Sequence, residues 1–456
     1  MSRHTFHVFF FFISFINTVV AQTKYEGFGA LTKGGKGKQI VHVRNLNAKG
    51  PGSLYAAIGS NRKIVFDVGG TINDFRWDSS DGSDMAVSNL TIDGSTAPAP
   101  GITLNNNNNG NALSFQDGCH DIIVTGIRVR NAGNDGLSVV KAHDIVFDHV
   151  SSSGNVDGAL DITAGSYNIT VQWSIFGKVA SPSSGPMLIA YTPTKNISIH
   201  HNLFNSRGSS TEGARNPLVH SSNGAPAGMM ADIRNNIIWN WGNSKKDPCC
   251  GYGYGTGLDH GASANIINNF YQTDGSQAEN AIDFNHERGK AKGYVSGNVF
   301  GNKGINPNKL SNLSIAWPAA AVTTQDACTA AAMVLAQAGP RPLDETDRAT
   351  VNEVSLANCS AGRNQLPVAN AGKDVTVILP TNSVTLTGTG SDPDGRIIRY
   401  AWTRIRGPTR YTIKNTTVAN PVITNLVKGT YIFRLTVTDN SGGTATDNIM
   451  VTVKSR

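Results

Sequence analysis

Acidic residues recur at a fixed distance in the middle of the chain, each followed by a short apolar run. Asp157-Gly-Ala-Leu-Asp161-Ile has a near copy 22 residues earlier, at Asp135-Gly-Leu-Ser-Val-Val. A repeat of this length, with two short strands per copy, is typical of a β-solenoid whose coils stack ~4.8 Å apart. Asp135 and Asp157 are then expected to stack as two carboxylates, which repel each other unless a cation lies between them or one is protonated. The repeat therefore predicts a divalent metal site on the flank of a solenoid.

Asp157 and Asp161 would stand ~13 Å apart in a straight strand. Both reach one cation only if the chain bends, which Gly158 permits. Leu160 and Ile162 are expected to face the interior, which directs the carboxylates to solvent. Hard oxygen ligands, without cysteine or suitably spaced histidine, favour Ca²⁺ over zinc or copper. Solvated turn aspartates without a metal are the simpler alternative, and spacing alone leaves both open.

A second cluster contains Arg215, next to Asn216-Pro217, and His220. An arginine beside a rigid Asn-Pro pair, at an outward position of a coil, is able to clamp an anionic sugar. A lone arginine is more often a surface salt-bridge partner, so this pattern is not specific. His200 and His201 alternate along a predicted strand, so one of them is expected to be buried and structural.

Short β-rich runs position these residues, and they recur every 22 to 36 residues or so. This spacing predicts one coil per repeat and a right-handed parallel β-helix, because an antiparallel sandwich would show hairpin signals every ~8–12 residues. The predicted strands include Asp121–Thr125, Asp144–Phe147, Asn168–Val171, Asn196–Ile199, Asp232–Ile237, Asn265–Ile267 and Tyr294–Phe300.

Three further segments fit a solenoid. A short helix over Leu54–Ile58, with Ser53 as its N-cap, is expected to cover the open end of the first coils. The asparagine run Asn105–Asn109 is interpreted as a turn with stacked amides rather than a disordered tract. An alanine-rich helix is predicted over Asp326–Ala338.

The composition changes near Leu366. Seven short stretches of alternating apolar and polar residues follow, with Trp402 as a candidate core residue and Tyr431 opening a late strand. This pattern predicts a small immunoglobulin-like β-sandwich. The expected organisation of this all-β chain is a signal peptide (1–21), a β-helix (22–355), a linker (356–366) and the sandwich (367–456).

Met1–Ala21 has the features of a secretory signal: Arg3 precedes an apolar run, and Val19-Val20-Ala21 is a small-residue cleavage site. The remaining sequence is too polar to span a membrane, so we expect a secreted protein. The formal charge of +7 and the pI of about 9.1 suit an acidic partner. Nucleic acid is disfavoured, because the basic residues are scattered.

Five cysteines leave an odd one in an exported chain. Cys328 and Cys359 are a plausible pair near the end of the main domain. The adjacent Cys249 and Cys250 form a vicinal bridge, or one of them pairs elsewhere. Their spacing does not favour metal binding.

Several motifs occur in a fixed order along the main domain. They are Gly27-Phe-Gly-Ala, Gly50-Pro-Gly-Ser-Leu, Thr91-Ile-Asp-Gly, Phe147-Asp-His, Asp157 to Asp161, Thr170-Val-Gln-Trp, His200-His-Asn-Leu-Phe, Arg215-Asn-Pro and Asn235-Asn-Ile-Ile-Trp-Asn-Trp-Gly. With them, the segment from Gly27 to Val354 resembles the pectate lyases of polysaccharide lyase family one. The segment from Pro367 to the end, with Gly-Ser-Asp-Pro-Asp-Gly and Tyr-Ala-Trp, is similar to a polycystic-kidney-disease (PKD) type domain.

The resemblance implies a parallel β-helix that binds Ca²⁺ and cleaves polygalacturonate, an acidic polysaccharide, by β-elimination. The calcium ligands of the family fall on Asp135, Asp157 and Asp161, and its arginine base falls on Arg215. An arginine base is chemically demanding, since the pKa of arginine is normally above 12, and this predicts an alkaline optimum.

The sequence departs from the family pattern at three places. The catalytic lysine of the family corresponds to Lys178 in a loose register. His220 stands where many relatives have a second arginine, and it is assigned to substrate binding. A fourth calcium acid is missing, because Gly133 and Asn134 occupy its place.

Three other functions compete with a calcium-dependent pectate lyase. A hydrolase would need acid and base carboxylates aimed at a glycosidic oxygen. A pectin lyase on methylated polymer would not need the aspartates. A non-catalytic β-helix would only hold polysaccharide. In each case we expect a monomer.

Overall fold

The computed structural model describes most of the chain. The described residues are 25–79, 85–180, 184–191, 193–206, 214–221, 228–241, 254–273, 281–284, 291–300, 313–360, 366–393, 395–440 and 442–456. The predicted signal peptide and the Cys249–Cys250 pair lie outside these ranges. Within them, no helix has the length and apolar character needed to cross a membrane.

Three long parallel sheets form the main domain, and the chain visits them in turn, which defines a parallel β-helix. In the described residues sheet 1 has ten strands: β1 (Gln39–Val43), β2 (Arg62–Phe66), β5 (Ser88–Asp93), β8 (His120–Thr125), β11 (His143–Asp148), β14 (Tyr167–Gln172), β17 (Lys195–His200), β20 (Ala231–Arg234), β23 (Ser263–Ile267) and β26 (Lys292–Ser296).

Sheet 2 has nine strands in the described part of the chain: β3 (Gly70–Asn73), β6 (Ile102–Asn105), β9 (Ile127–Arg130), β12 (Ser151–Ser153), β15 (Ile175–Phe176), β18 (Leu203–Asn205), β21 (Ile237–Trp239), β24 (Phe270–Gln272) and β27 (Val299–Phe300). Sheet 3 has eight there: β4 (Trp77–Asp78), β7 (Leu113–Phe115), β10 (Leu137–Val140), β13 (Leu160–Thr163), β16 (Met187–Ala190), β19 (Leu218–His220), β22 (Thr256–Asp259) and β25 (Ile282–Asp283). The predicted β-helix is therefore confirmed.

The coils differ in length at one corner, where the chain passes from sheet 2 to sheet 3. We call these connections the 2–3 loops; five of them span residues 131–136, 154–159, 177–186, 206–217 and 240–255. In sequence they lengthen from six residues in the first two to sixteen in the last, whereas the strands keep their register. We call the ends of these loops next to sheet 3 the rim.

The predicted 22-residue register is wrong by one residue. Leu137 pairs with Leu160, an offset of 23 residues, so Asp135 does not lie level with Asp157. Asp135 instead comes level with Gly158, whose N–H donates to its carboxylate. The offset of 23 residues is the same in sheet 2, where Ser151 pairs with Arg128, and in sheet 1, where Ile145 pairs with Ile122.

The interior of the β-helix is a continuous apolar column in which equivalent residues of successive coils stack, such as Ile122, Ile145, Ile169 and Ile197 in sheet 1. At the corner between sheets 1 and 2, four buried asparagines stack as a ladder. The side-chain amide of Asn202 donates to Asn236, that of Asn236 to Asn269, and that of Asn269 to Asn298, at 2.9–3.0 Å.

The asparagine run also behaves as predicted. Asn107 and Asn108 adopt left-handed backbone angles, and Asn105 is stacked between Asn73 and Asn131 through side-chain hydrogen bonds of 2.9 and 3.0 Å. Both ladders satisfy polar groups at corners where the backbone turns away from its sheet.

Helices cover the end and one flank of the β-helix. Helix α1 (Leu54–Ala57) begins at Ser53, whose hydroxyl accepts from the Ala56 N–H at 3.3 Å. Helix α2 (Ala327–Gln337) is capped by Asp326 and packs its apolar face against sheet 2 residues such as Ile237 and Phe270. A disulfide joins Cys328 to Cys359, the pair that the sequence suggested.

Helix α3 (Glu345–Asn352) is tied to sheet 2 by a buried ion network. Asp347 is 1% exposed and lies 2.8 Å from Arg130 and 3.5 Å from Arg128, and it accepts a hydrogen bond from Ser151. Burial raises the pKa of Asp347, whereas Arg130 lowers it.

The C-terminal part has its own core around Trp402, Tyr431 and Phe433. Its nine strands within the described residues are β28 (Val368–Asn370), β29 (Val375–Ile378), β30 (Val384–Thr385), β31 (Thr389–Ser391), β32 (Ile397–Arg406), β33 (Thr412–Lys414), β34 (Val422–Thr424), β35 (Gly429–Asp439) and β36 (Thr444–Lys454). Two short strands, β28 and β31, add to the seven that were predicted. The Tyr431 hydroxyl donates to the Arg410 carbonyl at 2.8 Å, which ties a strand start to a loop as in immunoglobulin-like sandwiches.

Candidate functional site

The 2–3 loops bring four of the predicted site residues to one edge of sheet 3. Asp135 and Asp157 lie near the ends of successive loops, and Asp161 is the second residue of β13. Arg215 lies in a later loop, and its carbonyl accepts from the N–H of Met187 at 3.0 Å. Strand stacking therefore aligns residues that are far apart in sequence.

Asp135 and Asp161 face each other across Gly158. A Cβ atom at Gly158 would lie 2.5 Å from one carboxylate oxygen of Asp161 and 2.8 Å from one of Asp135. The Gly158 N–H donates to that same Asp135 oxygen at 2.9 Å. Glycine is therefore required here because its missing side chain leaves the room in which the two carboxylates approach.

The charges at this edge are unbalanced. Burial raises the pKa of Asp135 to about 7, and the negative charge of Asp157 adds to the effect. Burial also raises the pKa of Asp161, as do the charges of Asp135 and Asp157. The positive charge of Arg215 lowers the pKa of both groups, so its guanidinium acts on this same edge.

Asp135 is 7% exposed and Asp161 only partly accessible, which corrects the expectation that the carboxylates point freely to solvent. The three aspartates are also less tightly gathered than a closed metal cage requires. Among the residues that the structure describes, one group of three possible metal ligands is gathered closely. It consists of His220, Asp259 and His260, whose ligand atoms all lie within 4.8 Å of one another.

His220 ends β19 and lies beside Asp259 at the end of β22. Its Nδ1 is 2.7 Å from one Asp259 oxygen, and the His260 Nδ1 is 3.4 Å from the other. The ring of Tyr191 meets His220 edge-on at a centroid distance of 5.7 Å. The predicted substrate-binding residue therefore belongs to a histidine–aspartate cluster that begins two strands beyond Asp161 in the same sheet.

Lys178 lies at the start of its 2–3 loop, where its carbonyl accepts from the Gly154 N–H at 2.7 Å. Its side chain lines a cleft of about 410 Å³ together with Asn205 of β18 and with Glu345 and Glu353 at the two ends of α3. The structure does not bring this side chain to the aspartates. The predicted catalytic role of Lys178 stays a prediction.

His200 and His201 are both buried, so the expected alternation of one inward and one outward ring is wrong. Left-handed backbone at His201 ends β17 and turns its ring onto Trp173, at a centroid distance of 4.3 Å. Its Nε2 pairs with Gln325 at 2.8 Å, and burial lowers the pKa of both histidines. Both rings are structural.

Sequence reasoning missed Asp259 and His260. The available signal was the run Gly257-Leu-Asp-His, which follows the Leu218-Val-His220 strand by one coil and repeats its apolar position. The separation of 39 residues between His220 and Asp259 hid this pairing, because the intervening loop is much longer than in the earlier coils.

The fold and the rim define two parts: a parallel β-helix with a carboxylate and arginine edge, and an immunoglobulin-like sandwich. A family model described as a PKD domain matches residues 371–453 of the sandwich. The predicted PKD-type domain is therefore confirmed.

The chain is also homologous to proteins named as pectate lyases, as the motifs suggested. It is 34% identical over 297 residues to the "Probable pectate lyase C" of Aspergillus fumigatus, an alignment that covers 62% of this chain and 61% of the relative. The chain thus spans about three fifths of the length of that relative.

Two solved structures were also found to be similar. The cedar pollen allergen jun a 1 aligns with 69% of this chain and 92% of its own, at 17% identity and a TM-score of 0.49. A doubly substituted pectate lyase from Xanthomonas campestris aligns with 69% of this chain and 98% of its own, at 18% identity and a TM-score of 0.41.

Proposed function

We propose that this protein is a secreted, Ca²⁺-dependent pectate lyase that cleaves polygalacturonate by β-elimination and leaves 4,5-unsaturated oligogalacturonides. The observation that carries the proposal is the pair of carboxylates, Asp135 and Asp161, that flank Gly158, with the charge of Arg215 acting on both. Homology over 62% of the chain to proteins named pectate lyases supports the reaction class.

The donor set suits a hard divalent cation. Asp135 and Asp161 offer carboxylate oxygens in a confined space, with Asp157 beside them, and the ionised pair is unfavourable without a counter-charge. Carboxylates without thiolates are the ligands that Ca²⁺ prefers. These three aspartates would hold the ion, which when bound would neutralise the uronate carboxylate and so make the C5 proton of the sugar more acidic.

Arg215 is the proposed base. A guanidine nitrogen accepts the C5 proton, and the electron pair of the broken C–H bond is held on the uronate carboxylate as an enolate-like charge. That pair then forms the C4–C5 double bond as the C4–O bond breaks, and the leaving oxygen takes a proton from water. Its Asn216-Pro217 neighbours fix the backbone beside Arg215, since the Asn216 N–H donates to the Gly255 carbonyl at 2.9 Å. His220, on the same sheet edge, is proposed to contact the anionic sugar chain.

The deciding assay compares polygalacturonate with highly methylated pectin, each with Ca²⁺ and with a chelator. We expect an ultraviolet-absorbing unsaturated product from polygalacturonate with Ca²⁺, and its loss on chelation. Activity that survives the chelator would contradict the role of the aspartates. New reducing ends without ultraviolet absorption would indicate a hydrolase, and binding without any product would indicate a non-catalytic protein.

Lys178 is assigned to catalysis by the resemblance alone, and Lys178→Ala tests it separately. A large fall in kcat would support the assignment. Activity close to that of the unmodified protein would assign Lys178 to the cleft that it shares with Glu345 and Glu353.

A further inference from the structure

We propose a second metal site, formed by His220, Asp259 and His260, that binds a divalent transition-metal ion of the Zn²⁺ type. It goes beyond the proposed lyase function. The aspartate edge that is proposed to hold Ca²⁺ shares no residue with this cluster, although His220 is also the residue proposed to contact the sugar chain. One ligand atom from each of the three residues lies within 4.8 Å of the others.

Backbone geometry brings the three ligands together. Parallel pairing of β19 with β22 sets His220 directly beside Asp259. His260 follows with a left-handed φ of 49°, which ends the strand and brings its ring to the same carboxylate. The two imidazole rings have centroids 4.4 Å apart and are tilted by 50°, so they are not simply stacked.

The polar atoms of the cluster lack good partners within the described part of the protein. Asp259 is 8% exposed, and its Oδ1 makes no hydrogen bond of acceptable geometry there, although it lies 2.7 Å from the His220 Nδ1. The Nδ1 of His260 is also buried without such a bond. A buried carboxylate oxygen and a buried imidazole nitrogen in the same cluster, both without a hydrogen bond, are satisfied together by a shared cation.

The donor chemistry selects the class of ion. Two imidazole nitrogens and one carboxylate oxygen suit Zn²⁺ and related ions, whereas Ca²⁺ takes oxygen ligands. Ligand atoms of a tetrahedral zinc site lie ~3.3 Å apart. The His260 Nδ1 lies 3.4 Å from Oδ2 of Asp259, which fits this value, and the His220 Nδ1 lies 2.7 Å from Oδ1, so the carboxylate must shift before one of its oxygens serves the same ion as both rings.

The site is expected to be open on one side. The side chains of His220 and His260 are 21% and 26% exposed, so the three ligands do not enclose the ion. Three protein ligands with a remaining position for water or an anionic oxygen is the arrangement found in open zinc sites.

The test is calorimetric titration of the full-length, chelator-treated protein with ZnCl₂. We expect one ion per chain at micromolar affinity or tighter, and a loss of at least tenfold in affinity for His260→Gln and for Asp259→Asn. Titration with CoCl₂ is expected to give visible absorption bands that disappear in His260→Gln. Circular dichroism and the Tm identify a variant that has failed to fold, and the partly exposed His260→Gln is the variant on which the conclusion rests.

Two matched controls separate this site from other binding. His143→Gln removes a comparable histidine, which lies 2.7 Å from Asp144 in sheet 1, and Asp161→Asn alters the proposed calcium edge. Both are expected to bind Zn²⁺ as the unmodified protein does. Equal affinity in His260→Gln, or no binding by the unmodified protein, would overturn the proposal. Because the measurement is Zn²⁺ binding, its failure leaves the lyase proposal standing, and the converse also holds.

Discussion

The carboxylates of Asp135 and Asp161 are the residues whose environment departs most clearly from that of an exposed aspartate. Their raised pKa values come mainly from burial and from neighbouring negative charge, and Arg215 offsets only part of this. In the metal-free protein, folding therefore favours the protonated form of these two carboxyl groups. A bound cation would favour the ionised form instead, so metal affinity, protonation and stability depend on one another.

The first prediction concerns the stability of the chelator-treated protein. The pKa of Asp135 is about 7 in the folded chain against an ordinary value of 3.8, so the folded state holds its proton more tightly than the unfolded state. Stability is then expected to fall by about 2–4 kcal/mol as pH rises through this interval, with no further loss above it. Thermal unfolding from pH 4 to 8 measures this, and Asp135→Asn should flatten the dependence.

Saturating Ca²⁺ should prevent this loss of folding stability at high pH. The stabilisation that Ca²⁺ provides should therefore increase from pH 5 to pH 8. Asp117→Asn, at an exposed carboxylate, is the matched control and should behave as the unmodified protein. If Asp135→Asn and Asp117→Asn gave the same pH dependence, the coupling would be wrong.

The second prediction concerns Arg215. Lysine cannot reproduce the planar guanidine group, so Arg215→Lys is expected to lower kcat on polygalacturonate by about 10³ while KM changes little. Steady-state kinetics of the variant checks this, with Arg399→Lys, at an exposed position of the sandwich, as the control. A variant that lost affinity for substrate but kept its kcat would assign Arg215 to binding.

Among the elements, the corners of the β-helix depend on side chains that stack from coil to coil. Asn236 donates to the carbonyls of Ile199 and Arg234 and to Asn269, and it accepts from Asn202. Its removal leaves several buried groups unpaired, so Asn236→Ala is expected to destabilise the β-helix by about 2–4 kcal/mol. Chemical denaturation measures the change. Asn105→Ala, in the more exposed ladder, should cost less than half as much.

The ion network under α3 gives a fourth prediction. Asp347→Asn removes the charge that faces Arg128 and Arg130, and breaking such a buried pair typically costs about 3–5 kcal/mol. Hydrogen exchange should show the loss first in α3. Glu345→Gln, an exposed acid in the first turn of the same helix, is the matched control. Equal effects of the two substitutions would mean that the network contributes little.

The elements also show what the sequence could and could not supply. The coils could be predicted from recurring apolar residues such as Ile145 and Ile169, because every coil must place apolar side chains in the same interior column. The pairing of His220 with Asp259 could not be predicted from the sequence. The loop between their strands is longer than in earlier coils, so the spacing of the repeat does not indicate which residues pair. The 22-residue repeat predicted the wrong register for Asp135, because these coils pair at an offset of 23 residues and the two Asp-Gly motifs do not occupy equivalent positions.

At the scale of the whole molecule, the β-helix and the PKD domain have separate apolar cores. The cluster around Ile145 and Val171 belongs to one, and the cluster around Trp402 and Phe433 to the other. The PKD domain was predictable because its alternating strands and Asp-Pro-Asp-Gly turn are local signals.

Separate cores predict two unfolding transitions in calorimetry of the intact chain, because each domain buries its apolar surface without help from the other. Replacing Ca²⁺ by a chelator at pH 8 should lower the Tm of the β-helix transition alone, since Asp135 and Asp161 belong to that domain. Trp402→Ala should destabilise the other domain alone, by about 3–5 kcal/mol, because Trp402 is 2% exposed in its core. A single transition that shifted with both changes would show that the domains unfold as one cooperative unit.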